Sequence, residues 1–594
     1  MEITIDEKKK ILKGERKKGG LKTMPFIMAN ETFEKVASVG SHANMILYLK
    51  SAYHLSNATG TTIMFLWTAI SYATPTIGAL VSDSYFGRYL VIAFGSFISF
   101  LGVLVLWLTA VIPGVTPPPC KKINENLRIC EPAKPSQLLF LFCSFVLMAI
   151  GAGGIRACSL AFGADQFDNP KNPKNERILQ RFFNWYYTLV LFTVMISVIV
   201  VVGIQVSAGW VVGFGVPVAF MFGSIVLFLL GTPTYIRLKP NSSLLKDFGH
   251  VIASAWRNRG AFLPTPDSGK WYYGKGSKLV KPTDNLRFLN SACLIRNLDK
   301  DLDSEGLAKD PRKLCTVKQV EEFKALIKVL PIWASGITVA VTLSQQTFPV
   351  LQAGTMKRHF IGKLTIPAAS YGVFTIFTLT IWVAVYDVVL VPILAKITKR
   401  PRGLTNKQRM GMGLLVSCLY TFAAGAVEHK RRSLAISEGL AGKPDAVVNM
   451  SAMWLVPQHC LIGIAEGLNA IGQIEFYYSQ FPKTMSTIGV SLLSLGTAVG
   501  NVVGAIIVQI IDHSTKKAGK VSWVSSNLNQ GHYDYYYWLL GILSVGNFFY
   551  YLMCSRAYGS DDRKIWDDGE ETDDEGQATH QPDGSPLFHK PPAA

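Results

Sequence analysis

Glu31, Glu34 and Lys35 fall within five consecutive positions of an otherwise apolar stretch near the start of the chain. Spacings of i, i+3 and i+4 put all three on one face of a helix. Beginning that helix after Lys35 leaves only residues 36–49 before Lys50, fourteen positions, too few to cross a hydrocarbon core of ~30 Å. The helix therefore starts near Pro25, a residue suited to a first-turn position, and carries its three charges into the bilayer. Each central charge costs ~2.5–3.5 kcal/mol on insertion scales, so three of them call for a water-filled polar cavity. A carboxylate beside a cation in such a cavity can take up and release protons, because desolvation and ion pairing act on it in opposite senses.

Glu466 raises the same question. It sits near the middle of the apolar run 450–482, too far from either end to reach water by snorkelling, and it needs a partner. Arg156 is the candidate, although residues 136–155 already supply twenty positions and would let Arg156 sit at the cytosolic interface.

Helices must position these side chains. Apolar stretches of membrane-crossing length recur near 26–49, 61–81, 89–112, 136–160, 182–206, 209–231, 321–344, 366–395, 408–427, 450–475, 484–511 and 535–554. With 49% of residues hydrophobic and only 17% charged, an all-α, polytopic membrane protein of twelve spans follows. Lys and Arg concentrate in the loops and tails that an even number of spans places in the cytosol, the positive-inside bias. Both termini are then cytosolic. Residues 1–22 carry eight Lys or Arg and no long apolar core, so they are read as a cytosolic anchor and not a cleavable signal. The net charge of +19 is thus largely topological, and its spread over many loops excludes a nucleic-acid surface.

The chain reads as a cytosolic tail (1–24), a six-helix bundle (25–231), a cytosolic linker (232–319), a second six-helix bundle (320–554) and an acidic tail (555–594). The stretch 243–258 of the linker suits an amphipathic helix at the membrane face. Ten acidic residues between Asp561 and Asp583 make the last segment a solvated, unstructured end. Gly496, Gly500 and Gly504 form a flat strip for close helix packing. Of nine cysteines, Cys120 and Cys130 share one outer loop and are placed to bridge, while the rest read as packing residues. Asn57 opens an Asn-Ala-Thr sequon in the first outer loop and is a glycan candidate, whereas Asn30 and Asn241 are excluded by topology. His42, His54, His359 and His459 are scattered singly. With no metal-ligand cluster, nucleophile motif or phosphate loop, no enzyme, cofactor or metal is expected.

Two six-helix halves around a central cavity match the major facilitator architecture. The loop Gly78-Ala-Leu-Val-Ser-Asp83-Ser-Tyr-Phe-Gly87-Arg88 is similar to that superfamily's loop motif, with Asp83 and Arg88 available to pair with neighbouring helix ends. Gly151-Ala-Gly-Gly-Ile-Arg156-Ala-Cys-Ser-Leu-Ala-Phe-Gly-Ala-Asp165-Gln-Phe-Asp168 resembles the signature of proton-coupled peptide transporters, and particularly of the plant nitrate and peptide transporter family. Glu31–Lys35 resembles that family's E-x-x-E-R/K motif. Leu330-Pro-Ile-Trp333, Pro401-Arg-Gly-Leu-Thr405 with Arg409, and Pro457-Gln458 before Glu466 are similar too. The likeness runs from about Gly19 to Tyr558, and the first helix resembles the family's first subgroup.

The resemblance implies proton symport by alternating access, with Glu31, Glu34 and Lys35 carrying or gating the proton and Arg156 bridging to Glu466 between the halves. Arg stays charged where most members have Lys, so switching of that pair falls to Glu466 or to helix separation. The run Phe182-Phe-Asn-Trp-Tyr-Tyr187 keeps a second peptide-transporter pattern only loosely, which argues against di- and tripeptides. Leu343 stands near the place where some nitrate-carrying relatives have a cavity histidine, and Val91 stands where regulated relatives have a phosphorylatable threonine. An anion would find Lys35 and Arg156 as its positive field, with Asn44, Asn469 and Gln473 as amide donors. Trp67, Tyr72 and Tyr371 would suit a bulkier organic acid. The leading expectation is a plasma-membrane, proton-coupled nitrate importer, with the vacuolar membrane as the other location. The alternatives are a carrier of a larger organic anion, hormone, glucoside or peptide, and a membrane sensor that signals through its linker or tail.

Overall fold

The structure, a computed structural model, describes residues 18–124, 127–167, 175–237, 244–265, 270–274, 282–297, 301–303, 306–310, 312–360, 365–400, 403–444, 446–482, 485–516 and 520–559. The acidic run 561–583, Asn241 and most of the N-terminal tail lie outside these residues.

Helices α1 (Met24–Ala43) and α2 (Met45–Ser51) make the first crossing, with Pro25 in the first turn as its missing N–H requires. α3 (Asn57–Val81) is opened by Ser56, whose hydroxyl accepts from the Thr59 amide. α4 (Arg88–Val111) and α5 (Pro135–Asp165) follow. α6 (Asn175–Leu230) holds two crossings either side of a kink at Gly209, whose φ of 79° suits glycine. The linker helix α7 (Leu244–Arg257) leads to α8 (Val317–Leu343), α9 (Thr347–Gly354), α10 (Val373–Val385) and α11 (Val391–Thr398). α12 (Asn406–Ser437), α13 (Val456–Gln480), α14 (Ser486–Thr515) and α15 (Tyr533–Tyr558) complete the order.

Among the described residues, nine helical stretches are long and apolar enough to cross a membrane, and Arg181–Thr234, at 54 residues, holds two of the expected spans. The first and tenth crossings fall outside that set because they carry the polar side chains of the cavity. The expected ninth span, 408–427, is too short. α12 runs on to Ser437 because Glu428 and Arg431 in its polar end pair with each other.

Small residues bring the helices together. A Cβ on Gly151 of α5 would overlap the Ser99 amide of α4, and one on Gly500 of α14 would lie 2.9 Å from the Ile337 carbonyl of α8. Cys120 and Cys130 are bonded at the base of the hairpin β1 (Lys121–Asn124)–β2 (Leu127–Ile129). His54 lies against Cys120, but the sulfurs are spent in the disulfide and leave no metal site there.

The chain divides into two compact units. One comprises Met1–Leu245, Val329–Tyr477 and Thr487–Tyr558, and the other Lys246–Lys328, Tyr478–Ser486 and Gly559–Ala594. In the second, Val251 and Ala255 of α7 pack into a small core with Trp271, Leu289, Cys293 and Cys315. Part of the apolar face expected for the membrane surface is therefore spent on the linker itself, while Ile252 and Trp256 stay exposed. Burial pushes the Cys293 thiol up to about 12, which keeps it an inert packing residue.

Within the first unit the halves are latched at the end that the expected topology places outside. Asn57 Nδ2 donates to the Ser525 carbonyl (3.2 Å) and to Tyr533 Oη (3.1 Å), and Gln509 Nε2 donates to Thr62 Oγ1 (2.7 Å). Asn57 is only 1% exposed, so the expected glycan has no room in this conformation. A fourth sequon, Asn449-Met-Ser451, goes unread in the sequence, and its asparagine is exposed in β3 (Val448–Ser451). Enzymatic deglycosylation is expected to shift the electrophoretic mobility of the wild type and of Asn57→Gln equally, and to leave Asn449→Gln unmoved. A shift lost only in Asn57→Gln would refute this.

Candidate functional site

α1 is anchored before it presents its charges. Asn30 Nδ2 donates to Ser96 Oγ of α4 (3.1 Å) and to Ser224 Oγ of α6 (2.8 Å). One turn on, Lys35 Nζ lies 3.2 Å from Glu31 Oε1 and 3.2 Å from Glu34 Oε2. The other Glu34 oxygen, Oε1, accepts from Arg156 Nη2 at 3.2 Å, and the same nitrogen donates to Ser38 Oγ at 3.0 Å. Glu34 is 0% exposed and gives one oxygen to each cation. Two carboxylates and two cations thus form a closed, electrically neutral group inside the bundle.

α5 continues nine residues past Arg156, so the guanidinium belongs to the interior and not to the interface. It lines a recess with Ser38, His42, Trp67 and Tyr72. The expected pairing of Arg156 with Glu466 is corrected in this conformation. α1 and α5 belong to the same half and bring Arg156 onto Glu34, whereas Glu466 of α13 lines the main cavity with no ion pair among the described residues. Tyr72 stands in the electrostatic field of Glu466, Arg156 and Lys35 together.

The main cavity, of about 500 Å³, is lined from α1, α2, α3, α6, α8, α9, α10, α13 and α14. It shares Val39, His42, Ala43, Thr68 and Tyr72 with the Arg156 recess, so the two adjoin across these side chains. Apolar side chains dominate its wall, including Ile46, Met64, Phe65, Val339, Val350 and Ile376. Of the expected cavity residues, Tyr72, Leu343, Asn469 and Gln473 line it. Tyr477 Oη donates to Gln473 Oε1 at 3.0 Å, and the Gln473 amide donates to Asn469 Oδ1. Trp67 stacks on Phe145 at 4.3 Å and walls the recess. Asn44 and Tyr371 do not line the cavity. Asn44 is buried at the break between α1 and α2, and Tyr371 packs with Met356, Val448 and Leu455.

The loop motif closes a different corner. Gly87 turns the chain with a φ of 75°, and Arg88 Nη1 reaches Asp165 Oδ2 at 2.6 Å, with Asp83 3.8 Å from Arg88 Nε. Asp165 terminates α5, so this pair fixes α4 to the end of the helix that carries Arg156. At the equivalent place in the second half, Arg409 pairs with Glu475 at 3.1 Å and lies over Tyr386.

Sequence reasoning missed His42 and His459, which both line the main cavity. The signal was present: His42 lies eight residues after Glu34 and His459 seven before Glu466, spacings that return to the same helix face.

Residues 89–524 match the model of the POT family. The chain is 49% identical to protein NRT1/PTR FAMILY 1.1 of Arabidopsis thaliana over 92% of each chain. It is 48% identical to protein NRT1/PTR FAMILY 1.2 of the same plant, over 92% of this chain and 91% of that protein. Among solved structures, an auto-inhibited POT family peptide transporter superposes with a TM-score of 0.66 at 20% identity, covering 90% of this chain and 96% of that one.

Proposed function

The chain belongs to the POT family of membrane transporters, and from that premise we propose that it is a proton-coupled symporter of organic anions working by alternating access. The observation that carries the reading is Glu34, sealed between Lys35 and Arg156, the second of which lines a recess beside a mostly apolar cavity.

While Glu34 is ionised, its carboxylate holds Arg156 Nη2 and competes with an anion for the guanidinium, whose Nε is left without a partner. A proton on Glu34 removes the carboxylate charge and leaves the guanidinium turned toward the recess, where an anionic group can take its place. Proton and anion therefore favour each other's binding, the reciprocity that symport needs. Glu31 retains Lys35 during the exchange. Rocking of the two halves, 25–231 and 320–554, would open the cavity to the other side, and Arg156 would meet Glu466 in a state where the halves approach. The plasma membrane, with both termini cytosolic, is the proposed location.

Cavity size favours an organic cargo. About 500 Å³ lies within the ~300–1,000 Å³ of small-molecule sites, far beyond a four-atom ion, and an apolar wall stabilises carbon and not nitrate. Nitrate is kept as a second reading because Arg156 and Lys35 supply two cations in one group and because of the subgroup resemblance. One proton moving with one monoanion carries no net charge, so uptake and not current is the readout. Oocytes expressing the chain are expected to take up a labelled aromatic monocarboxylic acid faster than uninjected cells at an external pH of about 5.5, and much less so at about 7.5. Nitrate uptake with no uptake of organic acids would reverse the order of the two readings.

A further inference from the structure

His459 has one nitrogen that its own fold leaves unused. Its Nδ1 lies 3.0 Å from Thr375 Oγ1, while Nε2 is buried without a partner in a side chain only 2% exposed that lines the main cavity. Thr375 Oγ1 makes no other hydrogen bond among the described residues. Its hydroxyl hydrogen therefore goes to Nδ1, and the neutral imidazole carries its own hydrogen at Nε2, on a ring that lines the cavity. Buried polar nitrogens are normally satisfied. An orphan at a cavity wall points to a partner that arrives with the ligand.

His42 is wired the opposite way. Its Nε2 lies 2.9 Å from Thr68 Oγ1, and that hydroxyl already donates to the Met64 carbonyl at 2.8 Å. Thr68 therefore accepts from His42 Nε2–H, and the neutral ring presents Nδ1 as an acceptor. His42 lies in the last turn of α1 and His459 in the first turn of α13, so each half contributes one imidazole to the same cavity. One donates and the other accepts.

We propose that His459 and His42 form a polarity-matched recognition pair for a bifunctional organic molecule. His459 would receive a carboxylate or carbonyl oxygen, and His42 a hydroxyl or amine hydrogen, with the carbon body against the apolar wall. The inference rests on the organic-substrate reading and adds to it the class of cargo: an organic acid that also carries a hydrogen-bond donor. A pocket built for hydrogen bonds rejects analogues lacking the partner group, because its own polar atoms are then left unpaired.

The test is equilibrium binding to the purified full chain of three probes: 4-hydroxyphenylacetic acid (acceptor and donor), phenylacetic acid (acceptor only) and 4-hydroxyphenylethanol (donor only). The wild type is expected to prefer the first over either other. His459→Phe is expected to weaken both acids by about 10- to 100-fold and to leave the alcohol little changed. His459→Gln, whose amide can reach the Nε2 position, is expected to recover most of the loss. His42→Phe is expected to erase the preference for 4-hydroxyphenylacetic over phenylacetic acid. Unliganded thermal unfolding identifies any variant that has merely lost its fold, and the Gln variant then carries the comparison. Acid binding and selectivity unchanged in both variants overturns the recognition pair while leaving the organic-anion reading standing. Failure of all three probes to bind the wild type overturns both.

Discussion

Glu34→Gln is expected to abolish proton-driven accumulation of substrate while leaving substrate binding intact and insensitive to pH. In the wild type the two Glu34 oxygens hold Lys35 and Arg156 at 3.2 Å each, so an anion competes with a buried carboxylate for the guanidinium. Acidification protonates Glu34 and frees Arg156. Wild-type anion affinity therefore rises as pH falls. An amide cannot ionise, so the variant holds Arg156 released at every pH and its affinity stays flat. A carrier that no longer couples substrate to protons only equilibrates it, so accumulation under an imposed pH gradient should fall to the equilibrium ratio. In proteoliposomes, exchange of labelled for unlabelled substrate should persist, since exchange needs no net proton movement. Continued uphill accumulation by Glu34→Gln under an imposed pH gradient would move the proton site elsewhere. Glu31→Gln serves as the comparison. Glu31 pairs with Lys35 and not with Arg156, so its loss should slow transport without uncoupling it.

Arg431→Ala is expected to be the most destabilising single change outside the cavity. Arg431 and Glu428 are both 0% exposed. The guanidinium donates to both Glu428 oxygens at 2.8 Å, to Asn529 Oδ1 at 2.7 Å and to the Leu528 carbonyl at 2.8 Å. Removing it leaves a buried carboxylate with Gln352 Nε2 as a remaining donor at 2.8 Å, a loss of ~3–5 kcal/mol. The double change Glu428→Gln with Arg431→Met removes both charges and should regain much of it. Thermal loss of the monodisperse peak in detergent measures this as a shift in midpoint, the suitable quantity where unfolding is irreversible. A midpoint shift in Arg431→Ala no larger than that of an exposed substitution would show that the pair is dispensable. Neither residue lines the cavity, so transport per folded molecule should survive in the double variant.

The same pair explains why one helix was underestimated from sequence. Hydropathy treats Glu428-His-Lys-Arg-Arg432 as a loop because it counts each charge as solvated. The fold cancels Glu428 against Arg431 one turn away, and α12 continues ten residues past the expected end. Where a charge had no local alternative, sequence reasoning did well. Fourteen residues cannot span a bilayer, so Glu31, Glu34 and Lys35 had to enter it, and the structure places them on one buried face. Arg156 did have an alternative, the cytosolic interface, and spacing left it open.

Hydrophobic length, charge bias and helical period are local properties, and they were enough to determine a polytopic all-α chain, the charged face of its first helix and a polar tenth helix. Partner choice is not local. Arg156 could meet Glu34 or Glu466, and the packing of α5 beside α1 brings it to Glu34 in this conformation. Asn57 reads as a surface sequon until the segment leading into α15 folds over it with Ser525 and Tyr533. His42 and His459, 417 residues apart in the chain, share a cavity only because the two halves face each other. Tertiary packing alone sets which polar groups meet, since each pairing needs two backbones brought to within a few ångströms by contacts that neither segment contains.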